Sequence, residues 1–482
     1  MIETPLKTIH DILFPYQTED VERLLTIPRG IIGSEMGTGK TETFLAICDR
    51  LGAEHVLVVA PKTMVLEWQN RISLRLGEES GIPLGFAEGK HYRFSLTKEM
   101  FYNRFVIVSY PMLRDEGYVK ILGMIPWDVM GYDEAHRLKN PRMRHPGSRR
   151  SRKGPSGSLQ VWGARNLAKH TERLYHISGR IFLNYADELW SPLHMLYPDE
   201  FVDYEDFVDE YCIRVSTPFG LKVVANNKKT LPKLRERLSQ LMIRRLKKDV
   251  LKDLPPKLYR DIPVAMDEQQ ATAYRSMEEE YVVMLKNGTS LRARNALAVN
   301  TRLQQLALEP ALLQVDAPSA ITAALLEFLE DSDEKKIVVF SWYEEYISYI
   351  EHLMKRPYVR ITGKETPNQR TSNRIRFETD DSTEICLATI GAGGEGIDLV
   401  SSKVEVFTDL FWTNGMNEQA EDRLHRRGSI TQGTNDNVLV VRFYIPNTVH
   451  DDKRRVLARK DVVWTEVMAQ EAATELMMQR WN

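Results

Sequence analysis

The stretch Gly33–Thr41, GSEMGTGKT, follows the apolar pair Ile31–Ile32 and leads into a run with helical spacing, Glu42–Leu51. A strand, a glycine-rich loop and a helix in that order are the setting a phosphate-binding loop requires. Glycines let successive backbone N–H groups turn inward onto phosphate oxygens, and the helix N-terminus adds partial positive charge. Gly37, Thr38 and Gly39 would line that cradle, Lys40 would reach the terminal phosphates, and the Thr41 hydroxyl would ligate Mg2+. Ser34 stands where the general pattern has its first glycine, with Gly33 just before it. The competing reading of this segment alone is a chance glycine turn.

Several short runs rich in Val and Ile fit buried parallel strands: His55–Ala60, Phe105–Ser109, Val129–Asp133, Ile337–Ser341, Glu384–Ile390, Val404–Asp409 and Val438–Ile445. Most lack polar alternation, as expected for strands covered on both faces. Helix-period stretches lie between them, among them Met64–Leu76, Tyr343–Lys355 and Glu418–Arg426. Strand and helix alternating in this way predict an α/β fold with doubly wound parallel sheets. The strands form two groups, roughly 30–180 and 335–445. A stretch of helical character, Tyr204–Leu313, separates them and is interrupted by Pro255–Pro256. The expected organisation is a first lobe over 1–250 with a helical protrusion near 200–250. A linker at 251–258 follows, then a second lobe over 259–482 with a protrusion near 260–313.

Composition narrows the function classes. Of 482 residues, 43% are hydrophobic and 27% charged, and the formal net charge is −2, so no global field favours nucleic acid. Any such binding must come from local patches. Arg142–Lys153, RMRHPGSRRSRK, is one: either a solvated loop or an arm that contacts phosphates. No apolar run approaches membrane-spanning length, and MIETPLKTIHDILF lacks a signal-peptide profile. Cys48, Cys212 and Cys386 are far apart, make no metal-ligand spacing and read as buried thiols in a reduced, cytoplasmic protein.

YDEAH, Tyr132–His136, ends the apolar run that begins at Val129. Two carboxylates at the C-terminal end of a strand suit a magnesium site beside phosphates. Asp133 would hold the metal, directly or through water, and Glu134 would orient and deprotonate the attacking water. The plain alternative is an acidic pair stabilised by a helix dipole. In QAEDRLHRRG, Gln419–Gly428, Arg423 and Arg426 are three apart and would share a helix face. Either they are a solvated basic face, or they fork onto the phosphate oxygens of a nucleotide held elsewhere.

With these elements in hand, the chain resembles the sucrose-non-fermenting (Swi/Snf) family of superfamily-two DNA translocases, from about Leu13 to Asp451. PYQTEDVERLL looks like its nucleotide-base motif, in which Gln17 would contact adenine. APKTMVLEWQ (Ala60–Gln69) and VSYPMLR (Val108–Arg114) look like motifs Ia and Ib. DEAHRLKN continues motif II, and its Lys139 and Asn140 are characteristic of the family. IRRLKKDVLKDLPPK (Ile243–Lys257) is similar to the signature that joins the lobes. VVFSWY (Val338–Tyr343), GAGGEGIDL (Gly391–Leu399) and DLFW (Asp409–Trp412) look like motifs IV, V and the approach to VI.

The resemblance implies two tandem RecA-like lobes with helical protrusions, ATP and Mg2+ between them, and duplex DNA across their tops. It adds Gly394, Gly396 and Gln419 to the nucleotide site. It names Lys62, Ser109, Lys139, Asn140, Ser341 and Trp412 as DNA contacts, for each of which capping, packing or surface charge is an equal alternative. It implies a DNA-stimulated ATPase that translocates on double-stranded DNA without separating strands, in replication, recombination or repair. It would be a compact bacterial or bacteriophage member acting as a monomer, with a protein partner conceivable at the C-terminal helix. The alternatives are a strand-separating helicase and an ATP-gated DNA-binding module. The chain departs from the family at Ser178–Ile181, SGRI in place of Thr-Gly-Thr-Pro, at Ser429, and at Asn414–Gly415. The first departure bears on how hydrolysis is coupled to DNA.

Overall fold

A strand made of branched apolar residues holds its place only when both its faces are covered. In the computed structural model, Val56–Ala60, Phe105–Ser109, Val129–Asp133 and Ile337–Ser341 are strands buried along their whole length. The structure describes residues 8–81, 84–88, 91–95, 101–145, 157–182, 184–217, 220–252, 254, 256–286, 292–393, 398–425 and 437–468. These fall into two compact units, one up to Leu251 together with the residues from Val462 onward, the other Lys252–Asp461.

In chain order the first unit carries β1 (Arg29–Ile32), β2 (Val56–Ala60), β3 (Ser80–Gly81), β4 (Leu84–Glu88), β5 (His91–Ser95) and β6 (Phe105–Ser109). Then come β7 (Val129–Asp133), β8 (Arg173–Ile177), β9 (Cys212–Thr217), β10 (Gly220–Asn226) and β11 (Met242–Ile243). Seven of these form one sheet in the order β11-β1-β8-β7-β2-β6-β3, parallel throughout. Alternation along β2 feeds two separate cores. Leu57 and Val59 pack into one layer with Leu113 and Leu167, whereas Val56, Val58 and Ala60 pack into the other with Phe44 and Trp68. Each such side chain contributes about 1.5–3 kcal/mol by leaving water. Gly131 in β7 lets the helix Lys40–Arg50 lie close, because a Cβ there would sit 2.6 Å from a Phe44 ring carbon.

The second unit carries β12 (Leu258–Pro263), β13 (Ile337–Ser341), β14 (Tyr358–Ile361), β15 (Ile385–Thr389), β16 (Val404–Phe407) and β17 (Leu439–Tyr444). They form a second sheet, β12-β17-β16-β13-β15-β14, again all parallel. The α/β class with two parallel sheets is as the sequence predicts. Among the described residues, no helix is long and apolar enough to cross a membrane. Cys48, Cys212 and Cys386 are buried and free.

Three local expectations need correction. The span Tyr204–Leu313 is not helical throughout: it holds the antiparallel hairpin β9–β10, then β11 and the edge strand β12. The expected helix Glu418–Arg426 instead runs Asn414–Glu421 and stops, so Arg423 lies in a turn beyond it. The helix expected over Tyr343–Lys355 closes at Ile350 and tightens into a 3-10 turn over Glu351–Leu353.

One core residue sets an acid limit on the first unit. His176 in β8 is fully buried, stacks on Tyr132 at 5.7 Å, and neither ring nitrogen meets a hydrogen-bond partner among the described residues. Burial, helped by the Arg29 charge, pulls its pKa down to about 3. The unfolded chain takes up this proton near the ordinary histidine value, about 6.5, and the folded chain does not. Stability therefore falls as pH drops from about 6.5 towards 3, by roughly 1.4 kcal/mol per pH unit at most. His176→Leu is expected to move the acid unfolding midpoint to lower pH. An unchanged midpoint in a pH titration followed by circular dichroism would contradict this account.

Candidate nucleotide-binding site

The strand order sets β1, β8 and β7 side by side, and because they are parallel their C-terminal ends share one edge of the sheet. Those ends lead into Gly33, Ser178 and Glu134. Ligands of open parallel sheets gather at that edge.

The glycine-rich loop is built as its composition demands. Gly37 and Gly39 have φ of 78° and 83°, and a Cβ on Gly39 would sit 1.9 Å from Gln17 Nε2. Lys40 opens the following helix, Thr41 is its second residue, and Lys40 Nζ donates to the Glu35 carbonyl at 3.1 Å. Buried Thr38 donates through its hydroxyl to the same carbonyl at 2.7 Å. The loop is held from two sides. The Gln17 amide nitrogen donates to the Thr38 and Gly39 carbonyls at 3.1 and 3.3 Å, and its oxygen accepts from the Phe14 N–H at 2.8 Å. Tyr16 donates to the Thr38 carbonyl at 3.0 Å. Gln17 is 3% exposed, so in this structure it braces the loop rather than presenting its amide to a base. On the other side, Ser34 Oγ accepts from the Arg245 N–H at 3.1 Å and Glu35 Oε2 from the Lys247 N–H at 2.7 Å. The departure at Ser34 thus has a physical use: its hydroxyl anchors the loop to the Arg244–Lys248 segment. Arg245 is itself paired with Asp20 at 2.7 Å.

The acidic pair is sharply differentiated. Asp133 Oδ2 accepts from the Trp68 indole N–H at 2.8 Å and Oδ1 from the Glu134 N–H at 3.0 Å. Tyr110 donates to the Asp133 carbonyl at 2.6 Å. Burial and the neighbouring Glu134 push the Asp133 carboxyl up to about 7. For Glu134 the cost of burial is outweighed by the His136 hydrogen bond and by the charges of His136, Lys40 and Arg137, and its carboxyl falls to about 2. Glu134 takes a left-handed backbone, φ 51°, rare for a residue with a side chain and typical of strained functional positions. Its Oε2 lies 3.1 Å from His136 Nδ1 and 3.3 Å from Ser178 Oγ. Ser178 also donates to the Arg180 carbonyl at 2.8 Å. A hydroxyl has one hydrogen, so Ser178 can donate to the Arg180 carbonyl or to Glu134 but not fully to both.

At Asp133 the Lys40 charge offsets burial and the neighbouring Glu134 only in part, and a divalent cation would supply further positive charge. The donor set of Asp133 and Thr41 beside positive-φ glycines therefore fits Mg2+ and a phosphate chain. Trp68, Tyr16 and Tyr110 carry this geometry; each falls inside a stretch that resembles a family motif, but nothing in its spacing marks the bond it makes. Trp68→Phe keeps an aromatic ring but removes the donor to Asp133, a charge-assisted bond worth about 1.5–3 kcal/mol. We expect kcat to fall about tenfold, by 1.4 kcal/mol. Unchanged turnover would mean that Asp133 needs no such support.

The other expected site residues are spread more widely. Arg423 is 2% exposed, with its N–H on the Ala420 carbonyl at 3.0 Å and its carbonyl accepting from the Leu399 N–H at 3.1 Å. Gln419 is half-buried on the helix Asn414–Glu421. Arg426, Gly394, Gly396, Ser429 and most of the basic loop at 142–153 lie outside the described residues. Of the expected DNA contacts, Lys62 is exposed on the turn Lys62–Met64. Ser109 and Ser341 are buried instead: the Ser109 hydroxyl is sealed from solvent, and Ser341 donates to Asp409 at 2.6 Å. Both sit where a strand ends inside the core, so neither presents its hydroxyl to a duplex here. Lys139 pairs with Glu188 at 2.6 Å, Asn140 Oδ1 accepts from the Arg142 N–H at 2.9 Å, and Lys453 lies over the Trp412 ring at 5.0 Å.

The SNF2-related domain family matches residues 16–147 and 165–312, and the helicase conserved C-terminal domain matches 320–428. The chain belongs to the SNF2-related family. It carries the SNF2-related and helicase conserved C-terminal domains of the helicase-like class. Among curated relatives, the DNA annealing helicase and endonuclease ZRANB3 of Homo sapiens is 24% identical over 86% of this chain and 37% of its own. An uncharacterized ATP-dependent helicase of Mycoplasma pneumoniae is 25% identical over 95% of this chain and 42% of its own. This SNF2-related chain therefore spans less than half the length of those relatives. Among solved structures, the Sulfolobus solfataricus SWI2/SNF2 ATPase core in complex with dsDNA is 21% identical, covering 96% of this chain and 95% of that one, with a TM-score of 0.41.

Proposed function

We propose that this SNF2-related ATPase couples ATP hydrolysis to movement along double-stranded DNA, gripping phosphates rather than reading bases. The observation that carries the chemical half is the meeting of Lys40, Asp133, Glu134 and Ser178 at one edge of the first sheet. Gly37–Thr41 would hold the phosphates of ATP, with Thr41 and Asp133 as the Mg2+ ligands. Bound ATP and Mg2+ supply the cleavable phosphoanhydride and the charge neutralisation it needs. Glu134, ionised and fixed by His136, accepts the proton of the attacking water. Arg423 and Arg426 would fork onto phosphate oxygens.

The DNA half is supported by membership of the family and by the likeness to the DNA annealing helicase and endonuclease ZRANB3. Exposed Lys62 is the best placed of the candidate contacts among the described residues. Lys139 and Asn140 would have to exchange their present partners for phosphates. Phosphate contacts make binding sequence-independent and steeply salt-sensitive.

Displacement of a third strand from a triplex tests movement without strand separation. With ATP the enzyme is expected to release the third strand, and with a non-hydrolysable analogue it is not. Unwinding of a tailed duplex, with no triplex displacement, would replace this reading by a strand-separating helicase.

A further inference from the structure

β12 is the first strand after the division between the two units, and the residues at its start grip the segment just before Arg423. Lys257 Nζ donates to Glu421 Oε2 at 3.1 Å and to Asp422 Oδ1 at 2.8 Å. The Tyr259 hydroxyl donates to the same Glu421 oxygen at 3.0 Å. Arg442 of β17 pairs with the other oxygen of Glu421, and its guanidinium lies 4.6 Å from the centre of the Tyr259 ring. The cluster is dry: side-chain exposure is 1% for Glu421, 12% for Lys257 and 13% for Asp422. Glu405 of β16 completes it, fully buried, with neither carboxylate oxygen partnered among the described residues. Three acids therefore face two cations, and the charges balance when Glu405 keeps its proton. Burial, then the charge of Glu421, raises Glu405 in that direction, whereas Lys257 and Arg442 overcome burial to hold Glu421 ionised.

A buried ion cluster seldom stabilises a fold more than apolar packing of the same volume would, but it does fix one geometry. The geometry here is the exit from a helix. Glu421 is the last residue of Asn414–Glu421, Asp422 caps it, and Arg423 follows at once. The two carboxylates that Lys257 holds thus set the direction in which the chain presents Arg423.

We propose that Lys257 is a positioning residue for Arg423, tying the segment that joins the two units to the arginine that acts on the nucleotide. Any change in the path of that segment is then passed through Glu421 and Asp422 to Arg423. The inference rests on the role given to Arg423 under the proposed function.

The test compares steady-state ATPase kinetics of full-length Lys257→Met, Lys257→Arg, Lys257→Met with Asp422→Asn, and Arg423→Ala. Misplacing a catalytic group by about 1 Å can cost about a hundredfold in rate. Lys257→Met is expected to lower kcat by about ten- to a hundredfold with KM for ATP within about twofold of the parent. Lys257→Arg should recover most of that loss. The double variant, in which the lost cation is balanced by a lost anion, should fold as the parent does and recover part of it. A kcat for Lys257→Met within twofold of the parent, while Arg423→Ala loses activity, would overturn the inference. So would a Lys257→Arg variant as slow as Lys257→Met, or, should the single Met variant fail to fold, a well-folded double variant with no recovery relative to Arg423→Ala. If Arg423→Ala itself keeps its turnover, the role of Arg423 fails instead, whatever Lys257 does.

Discussion

Glu134→Gln is expected to lower kcat for ATP hydrolysis by about 10²–10⁴-fold while leaving ATP binding nearly intact, as a general base of this kind contributes about that much. The side chain is ionised at neutral pH, because His136, Lys40 and Arg137 together outweigh the cost of burying it. Its position is overdetermined by a strained backbone at φ 51° and by contacts to His136 and Ser178. Glutamine has the same shape and cannot take a proton. Binding survives because the phosphate cradle, Gly37–Thr41, is braced independently by Gln17, Tyr16 and Arg245. Phosphate release and equilibrium binding of a fluorescent ATP analogue separate the two effects. Loss of binding together with turnover would show that Glu134 supports the loop instead.

Arg423→Ala is expected to reduce kcat by about 10³–10⁵-fold, the range found where an arginine stabilises phosphoryl transfer. KM should change little, since the arginine acts as charge develops rather than when ATP binds. Arg423→Lys should recover little, because an ammonium cannot fork onto two phosphate oxygens. Arg423 is buried, so the alanine variant also loses packing, and its thermal midpoint must be measured alongside. A folded lysine variant with normal turnover would remove Arg423 from the site.

The parts of this molecule that the sequence makes legible are those whose cause is local. Phe105–Ser109, Val129–Asp133 and Ile337–Ser341 begin and end where the apolar runs do, since strands buried on both faces must be apolar throughout. β8 escapes that reading because RLYHI carries Arg173 and His176, whose burial is decided by the sheet around them. β12 escapes it because LYRDIP is a mostly exposed edge strand that ends in proline. The hairpin β9–β10 leaves Ile213, Val215 and Leu221 exposed, so its alternation marks no core face. The helix bearing Gln419 stops at Glu421, short of the expected end at Arg426, where Asp422 and Arg423 are held by Lys257 and Leu399 from elsewhere in the chain.

The nucleotide site divides along the same line. Lys40 and Thr41 open the helix after the glycine-rich loop, Asp133 ends β7 and Glu134 follows it, and these positions can be found from spacing alone. Trp68 and Tyr110 cannot, because their bonds to Asp133 join segments far apart in sequence. Ser109 and Ser341, which the resemblance names as DNA contacts, are buried here, and Ser341 donates to Asp409.

The central claim is that turnover serves movement on duplex DNA. The most direct test is the steady-state ATPase rate without nucleic acid, with blunt duplex DNA, and with RNA of the same sequence, each at about 50 and 200 mM salt, where phosphate contacts weaken steeply. Duplex DNA is expected to raise kcat strongly, with the concentration needed rising sharply at the higher salt, and RNA to have little effect. Stimulation by RNA and not by duplex DNA would contradict the account.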